Sequence, residues 1–208
     1  ASKEKIEALE RQRVKPIAGV EAYLSFEDDT KNAQHYHLVL LAENYEGYKN
    51  LCYLVSESYK QERFYRHPVI TYNSLKAHAK GLICSTACLA GPLSLPIKDW
   101  TLVTPLQAAE DDEKNGGGKS SKGGGSKQQR RVPITGNLTT SRANLAKLRA
   151  IFPEGHLYIE LMLHPYSGLS NTNNAYHPQS YVLAGLLLLA KESGLPVLVT
   201  NDVHFLRK

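Results

Sequence analysis

The chain has 208 residues, 42% hydrophobic and 22% charged, with a formal net charge of +5; this fits a soluble globular protein and permits an anionic partner such as nucleic acid without demanding one. The apolar run "YVLAGLLLLA" is about half the ~20 residues of a membrane helix, and the charged start "ASKEKIEALERQRVK" has no signal-peptide core. Cys52, Cys84 and Cys88 form neither an even framework nor a CxxC pair, so a reducing cytoplasm is the expected compartment.

Residues 2–13 read as a short helix with Ile6 and Leu9 on one face. "PIAGVEAYLSF" is a strand of β-branched and aromatic residues, and "HYHLVLLA" a second whose near-continuous apolar run suits burial on both faces. "ENYEGYKNLCYLVSESYKQ" is helical; the spacing of Tyr48, Leu51, Cys52 and Val55 predicts an inner face, with Cys52 in the core. "TYNSLKAHA" gives a turn and short helix, and "GLICSTACLAG" a third buried strand running into a small-residue turn.

After Gly91 the periodicity fails, and residues 110–131 turn acidic and then Gly/Ser/Lys-rich, the composition of a flexible insertion or linker. Order resumes with "TSRANLAKLRAIF", a helix capped by Thr140 or Ser141 with Leu145, Leu148 and Ile151 inside. "HLYIELML" is a strand, "HPQSYVLAGLLLLAKESG" a long apolar helix ended by Gly194, and "PVLVTND" the last strand. One domain is therefore expected in two parts, residues 1–109 and 132–208, flanking the insertion at 110–131. Alternating strands and helices predict an α/β fold with a parallel sheet or barrel, in which ligands gather at the carboxyl ends of strands.

By that rule the polar residues closing the strands are the candidates: Glu21, Cys88, Asp202 and His204. His37 stands at the start of its strand and fits less well. Carboxylate, imidazole and thiol are the donors of zinc, manganese or iron sites, and a divalent cation there would polarise a phosphoryl oxygen. Each residue also has a plain reading: a solvent-facing Glu21, an exposed His37, a small buried Cys88, an Asp202 capping its turn. Asp202 and His204 lie two apart in extended chain and share a face. No GxSxG, P-loop or GxGxxG is present.

The phrases "KPIAGVEAYL", "YHLVLLAENYEGYKNLCYLVSESY", "AHAKGLICSTACLAGPL" and "AKESGLPVLVTNDVHFLRK", in this order, closely resemble the PHP (polymerase and histidinol phosphatase) domain at the N-terminus of the bacterial DNA polymerase III alpha subunit, a C-family replicative polymerase. The resemblance implies a distorted seven-stranded βα barrel and a cluster of two or three metal ions, zinc or manganese, at the strand ends. It matches Glu21 to the Gly-x-Glu ligand, His37 to the histidine before the "LLA" strand, Cys88 to the cysteine of the "SAC" motif, and Asp202 and His204 to the final Asp-x-His pair. His35, His67, His78 and His164 match no ligand position. The family's HxH strand and Asp-His-Gly turn have no counterpart here and are expected upstream, which leaves the barrel incomplete at its N-terminus.

The implied activity is metal-dependent phosphoester hydrolysis supporting DNA replication, as a 3′–5′ proofreading exonuclease or a pyrophosphatase. The alternatives are an inactive PHP scaffold that stabilises the polymerase and docks an exonuclease subunit, and a free-standing PHP phosphoesterase. The implied partners are DNA and the remainder of the alpha subunit or a complementary N-terminal fragment.

Overall fold

The computed structural model describes residues 2–5, 15–100, 138–162 and 178–201. Of the first expected helix, Lys3–Lys5 are helical and most of the rest lies outside the described residues, as does the whole expected insertion at 110–131. In chain order the elements are β1 (Gly19–Ser25), β2 (His35–Ala42), α1 (Tyr45–Ser58), β3 (Phe64–Tyr65), β4 (His67–Thr71), α2 (Tyr72–Ala77), β5 (Leu82–Ser85), α3 (Ser94–Trp100), α4 (Leu138–Arg149), β6 (Leu157–Met162), α5 (Pro178–Ser193) and β7 (Val197–Thr200).

The strands form one sheet in the order β3-β4-β1-β2-β5-β6-β7, six of them four residues or longer and β3 only two. The sheet is mixed rather than parallel. β1 pairs in parallel with β4, β5 with β6 and β6 with β7, while β2 is antiparallel to both β1 and β5. The cause is local: β1 and β2 are joined by a loop without a helix, so the chain returns beside itself instead of crossing over. Among the described residues the sheet is open, with no ladder joining β7 to β3: the α/β class is as expected, and the strands form a mixed open sheet rather than the barrel wall that the resemblance implies.

Alternation gives the sheet two unlike faces. Leu24, Leu38, Leu40, Ile70, Leu82, Cys84, Leu157, Ile159 and Leu161 are buried and share one core with Leu51 and Leu54 of α1, Leu75 of α2, Leu148 of α4 and Leu186 and Leu189 of α5. Each such leucine contributes about 1.5–3 kcal/mol by leaving water. The opposite face carries Glu21, Tyr23, His35 and His37, in register across β1 and β2. The expectation that β2 is covered on both faces therefore holds for one: Leu38 and Leu40 are buried, and the residues alternating with them are half-buried.

Helix α1 starts at Asn44, whose side chain accepts from the Gly47 N–H at 3.0 Å. Its buried stripe is Gly47, Leu51, Leu54 and Ser58. Cys52, expected in the core, is exposed, as is Tyr48, because the helix is rotated so that Leu54 rather than Cys52 meets the sheet. A Cβ on Gly47 would lie 1.7 Å from the Gly81 carbonyl oxygen, so only glycine lets α1 approach the turn that enters β5.

Thr140 and Ser141 do not cap α4, which begins at Leu138; the buried Ser141 hydroxyl instead donates to the Leu93 carbonyl at 2.8 Å and ties α4 to the approach of α3. Sequence periodicity does not pick out α3 or β4, both short and each containing a proline. Helix α5 ends as expected at Gly194, with φ +69.

Candidate metal centre

Because β2 runs against its neighbours, its first residues stand beside the last residues of β1 and project past the end of β5, whose last residue, Ser85, pairs with Val39. This resolves the position of His37: the start of its strand is the same end of the sheet as the carboxyl ends of the parallel strands. His37 pairs in register with Tyr23, and Glu21 with Val39, one pair along on the same face. Glu21 does not close its strand as expected; it sits within β1, but Val39 also pairs with Ser85, so Glu21 is level with the last residue of the shorter β5. The chain leaving β5 then brings Cys88 over the pair. Ala87 takes a left-handed φ of 55, a conformation that costs a non-glycine residue about 1–2 kcal/mol. The turn is held by the His37 N–H donating to the Ala90 carbonyl and the Gly91 N–H to the Cys88 carbonyl, both at 2.9 Å.

The three side chains converge on one atom. His37 Nδ1 lies 2.8 Å from Glu21 Oε1 and 3.4 Å from Cys88 Sγ, and the donor atoms of all three fall within 4.8 Å of one another. Zinc–nitrogen bonds of about 2.0–2.1 Å and zinc–sulfur bonds of about 2.3 Å in a tetrahedron put N and S about 3.5 Å apart. The His37–Cys88 separation already matches that geometry. The His37–Glu21 separation is that of a hydrogen bond and would have to open by about 0.5 Å. A thiol in the set selects a borderline or soft cation over a hard one. Cys84, by contrast, is fully buried on the helix-covered face and its thiol pKa is pushed up by burial and by Glu160, which makes it inert.

Asp202 and His204 lie outside the described residues. The strand that precedes them, β7, is parallel to β6 and ends with Thr200 opposite Met162. Thr200 is tied to the site's strand ends through Glu160, a buried carboxylate on β6 that accepts from the Thr200 hydroxyl at 2.5 Å and from the Ser85 hydroxyl. Cys88 also lines a small pocket with Glu160, Met162 and Val182. Glu160 is not among the residues that the strand-end rule selects, although a lone acid in the apolar run "LYIELM" is the signal that marks it.

Two histidines without a place in the expected ligand set also stand on this face. His35 Nδ1 and His67 Nε2 are 2.7 Å apart, and His35 Nε2 lies 2.6 Å from the Thr30 carbonyl oxygen. Tyr23 stacks on the His67 ring at 3.8 Å and meets the His37 ring edge-on at 4.8 Å, so its ring links the two groups. Burial, with the nearby His35, His37 and Arg66, holds the His67 pKa below the ordinary histidine value, which keeps the ring neutral and able to donate a lone pair. The "HYH" alternation puts His35 and His37 on one face; His67 is brought in by β4, which periodicity does not reveal.

Residues 2–164 match the PHP domain family. The chain belongs to that family. Its PHP region is similar to DNA polymerase III subunit alpha of Helicobacter pylori, strain 26695, 29% identical over 201 residues that cover 95% of this chain and 14% of that subunit. The Treponema pallidum subunit is 28% identical over 198 residues, 92% of this chain and 13% of the subunit, and the Campylobacter jejuni subunit is 43% identical over 91 residues, 42% of this chain and 8% of the subunit. The chain thus spans about one-seventh of the length of the relatives that it matches across nearly all of its own. Among the described residues no helix is long and apolar enough to cross a membrane.

Proposed function

We propose that this chain is part of the PHP domain of a bacterial replicative DNA polymerase and that it contributes to metal-dependent phosphoester hydrolysis at a 3′ DNA end. The observation that carries this reading is the convergence of Glu21 and Cys88 on His37 Nδ1 at the carboxyl end of the sheet. Glu21, His37 and Cys88 would hold the ion, joined by Asp202 and His204, which follow β7 in sequence. A bound divalent cation supplies Lewis acidity to a phosphoryl oxygen. The mixed carboxylate, imidazole and thiol set favours zinc over manganese. The chain's own contribution is to fix the donors: the β1–β2 register aligns Glu21 with His37, the strained Ala87 turn holds Cys88, and Glu160 braces the ends of β5, β6 and β7. DNA, the rest of the alpha subunit and a cytoplasmic setting belong to the same proposal.

The scaffold reading, a PHP domain that supports the polymerase without cleaving, draws on the size of the donor set, three among the described residues. One experiment separates the two. The metal-stripped chain is loaded with zinc or manganese, alone and with a polypeptide carrying the HxH and Asp-His-Gly strands, and offered 3′-labelled single-stranded DNA, pyrophosphate and p-nitrophenyl phosphate. Release of 3′-nucleotides that is lost in His37→Gln and Cys88→Ser supports the nuclease; metal binding with no turnover of any substrate leaves the scaffold. Turnover of p-nitrophenyl phosphate alone would instead indicate a free-standing phosphoesterase.

A further inference from the structure

We propose that His35 and His67 form a second metal-binding pair on the polar face of the sheet, separate from the Glu21–His37–Cys88 group, that takes a zinc-like divalent cation with solvent in its remaining positions. The hydrogen bonds dictate the protonation of the two rings. The Thr30 carbonyl only accepts, so the proton of His35 sits on Nε2, 2.6 Å away. In the neutral ring Nδ1 then holds the lone pair, and it faces His67 Nε2 at 2.7 Å. That contact is bridged by the proton on His67 Nε2; to bind the ion, His67 takes its Nδ1–H tautomer, so that its Nε2 lone pair faces the ion and both rings stay neutral. A ring nitrogen bonded to a backbone carbonyl with its other nitrogen turned inward is the arrangement in which imidazoles bind metals.

The His67 ring is fixed by the Tyr23 stack at 3.8 Å. Arg66, just before it, has a left-handed φ of 65; Ala87 takes the same conformation just before Cys88. Both rings are half-buried, so they are accessible to an ion yet shielded enough for binding to be selective. Two nitrogens bound to one tetrahedral ion at about 2.0–2.1 Å would stand about 3.3 Å apart, so the rings need open by only about 0.6 Å. Two neutral imidazoles without a carboxylate favour zinc, copper or nickel over magnesium or calcium. Tyr23 lies between this pair and His37, so the two ions would be neighbours across a single aromatic ring.

The test uses the 208-residue chain, stripped by chelation and titrated with zinc by calorimetry and with cobalt(II) by absorption. His67→Gln and His35→Gln are each expected to remove one bound ion, or to weaken its binding by about 10-fold or more, while the thiolate-to-cobalt band from Cys88 persists. Cys88→Ser is expected to abolish that band and leave the other ion in place. An unchanged number and affinity of ions in both histidine variants overturns the pair. Should either variant fail to fold, as judged by far-ultraviolet circular dichroism, imidazole nitrogen NMR of the unaltered chain decides: zinc-induced shifts at His35 Nδ1 and His67 Nε2 support the site, and resonances that do not move overturn it.

Discussion

Two histidine–glutamate pairs stand at opposite ends of the same strands. His37 and Glu21 meet at 2.8 Å where β2 begins; His156 and Glu43 meet at 3.3 Å where β2 has just ended and β6 is about to start. Their side chains are equally exposed, 28% for each histidine and 47% for each glutamate, so burial does not distinguish them. The second ring nitrogen and the third neighbour do. His156 Nδ1 donates to the Glu154 carbonyl while Nε2 faces Glu43. With an acceptor on each nitrogen the ring favours its protonated form, and its pKa is raised, first by the Glu154 carbonyl and then by Glu43. His37 instead presents one nitrogen to a carboxylate and a thiol together. The same two residue types thus give a surface ion pair at one end and a donor set suited to a metal at the other.

The strand joining the two pairs is the largest lever on both. Leu40 is fully buried on the apolar face of β2, between His37 and Glu43. Leu40→Ala is expected to cost about 2–5 kcal/mol of folding free energy, from lost burial and the cavity left behind. Urea unfolding should show a lower midpoint at an unchanged slope. A loss below about 1 kcal/mol would mean that the helix-covered face does not hold β2 in place.

The next test acts on the pairs themselves. Glu21→Gln should weaken zinc binding by about 10-fold or more while changing the stability of the metal-free chain by less than about 1 kcal/mol. Glu43→Gln should leave zinc binding unchanged. Equal effects of the two substitutions in a competition titration against a zinc chelator would erase the distinction between the two ends.

Much of this arrangement is legible in the sequence. The run "HYHLVLLA" coincides with β2, and the strands that carry Glu21, Cys84 and Ile159 follow from runs of β-branched and aliphatic residues. What sequence alone does not show is strand direction. The antiparallel return of β2 is a long-range pairing, and it turns His37 from the residue that fits the strand-end rule least into the one on which the site converges. Helix rotation is also beyond reach: Cys52 and Leu54 are both apolar and close in sequence, and only packing against the sheet exposes one and buries the other. His67 escapes because β4 is short and contains Pro68, so no periodicity announces it.

The smallest expected effect is also the one with a defined pH dependence. The folded-state pKa of His156 is raised, so its interactions with Glu154 and Glu43 stabilise the fold fully below the unfolded histidine value of about 6.5 and are lost as pH rises through the folded value. Because the pair is exposed, the contribution is below about 1 kcal/mol. His156→Gln should therefore be less stable than the unaltered chain at pH about 5.5, and the difference should vanish by about pH 8. Thermal unfolding of both proteins across this range, in the presence of a chelator so that the metal binding proposed at His37 does not contribute, reads the effect. A gap that widens with rising pH would reverse the sign and show that the His156 ring is neutral in the fold, removing the surface ion pair from that end of the sheet.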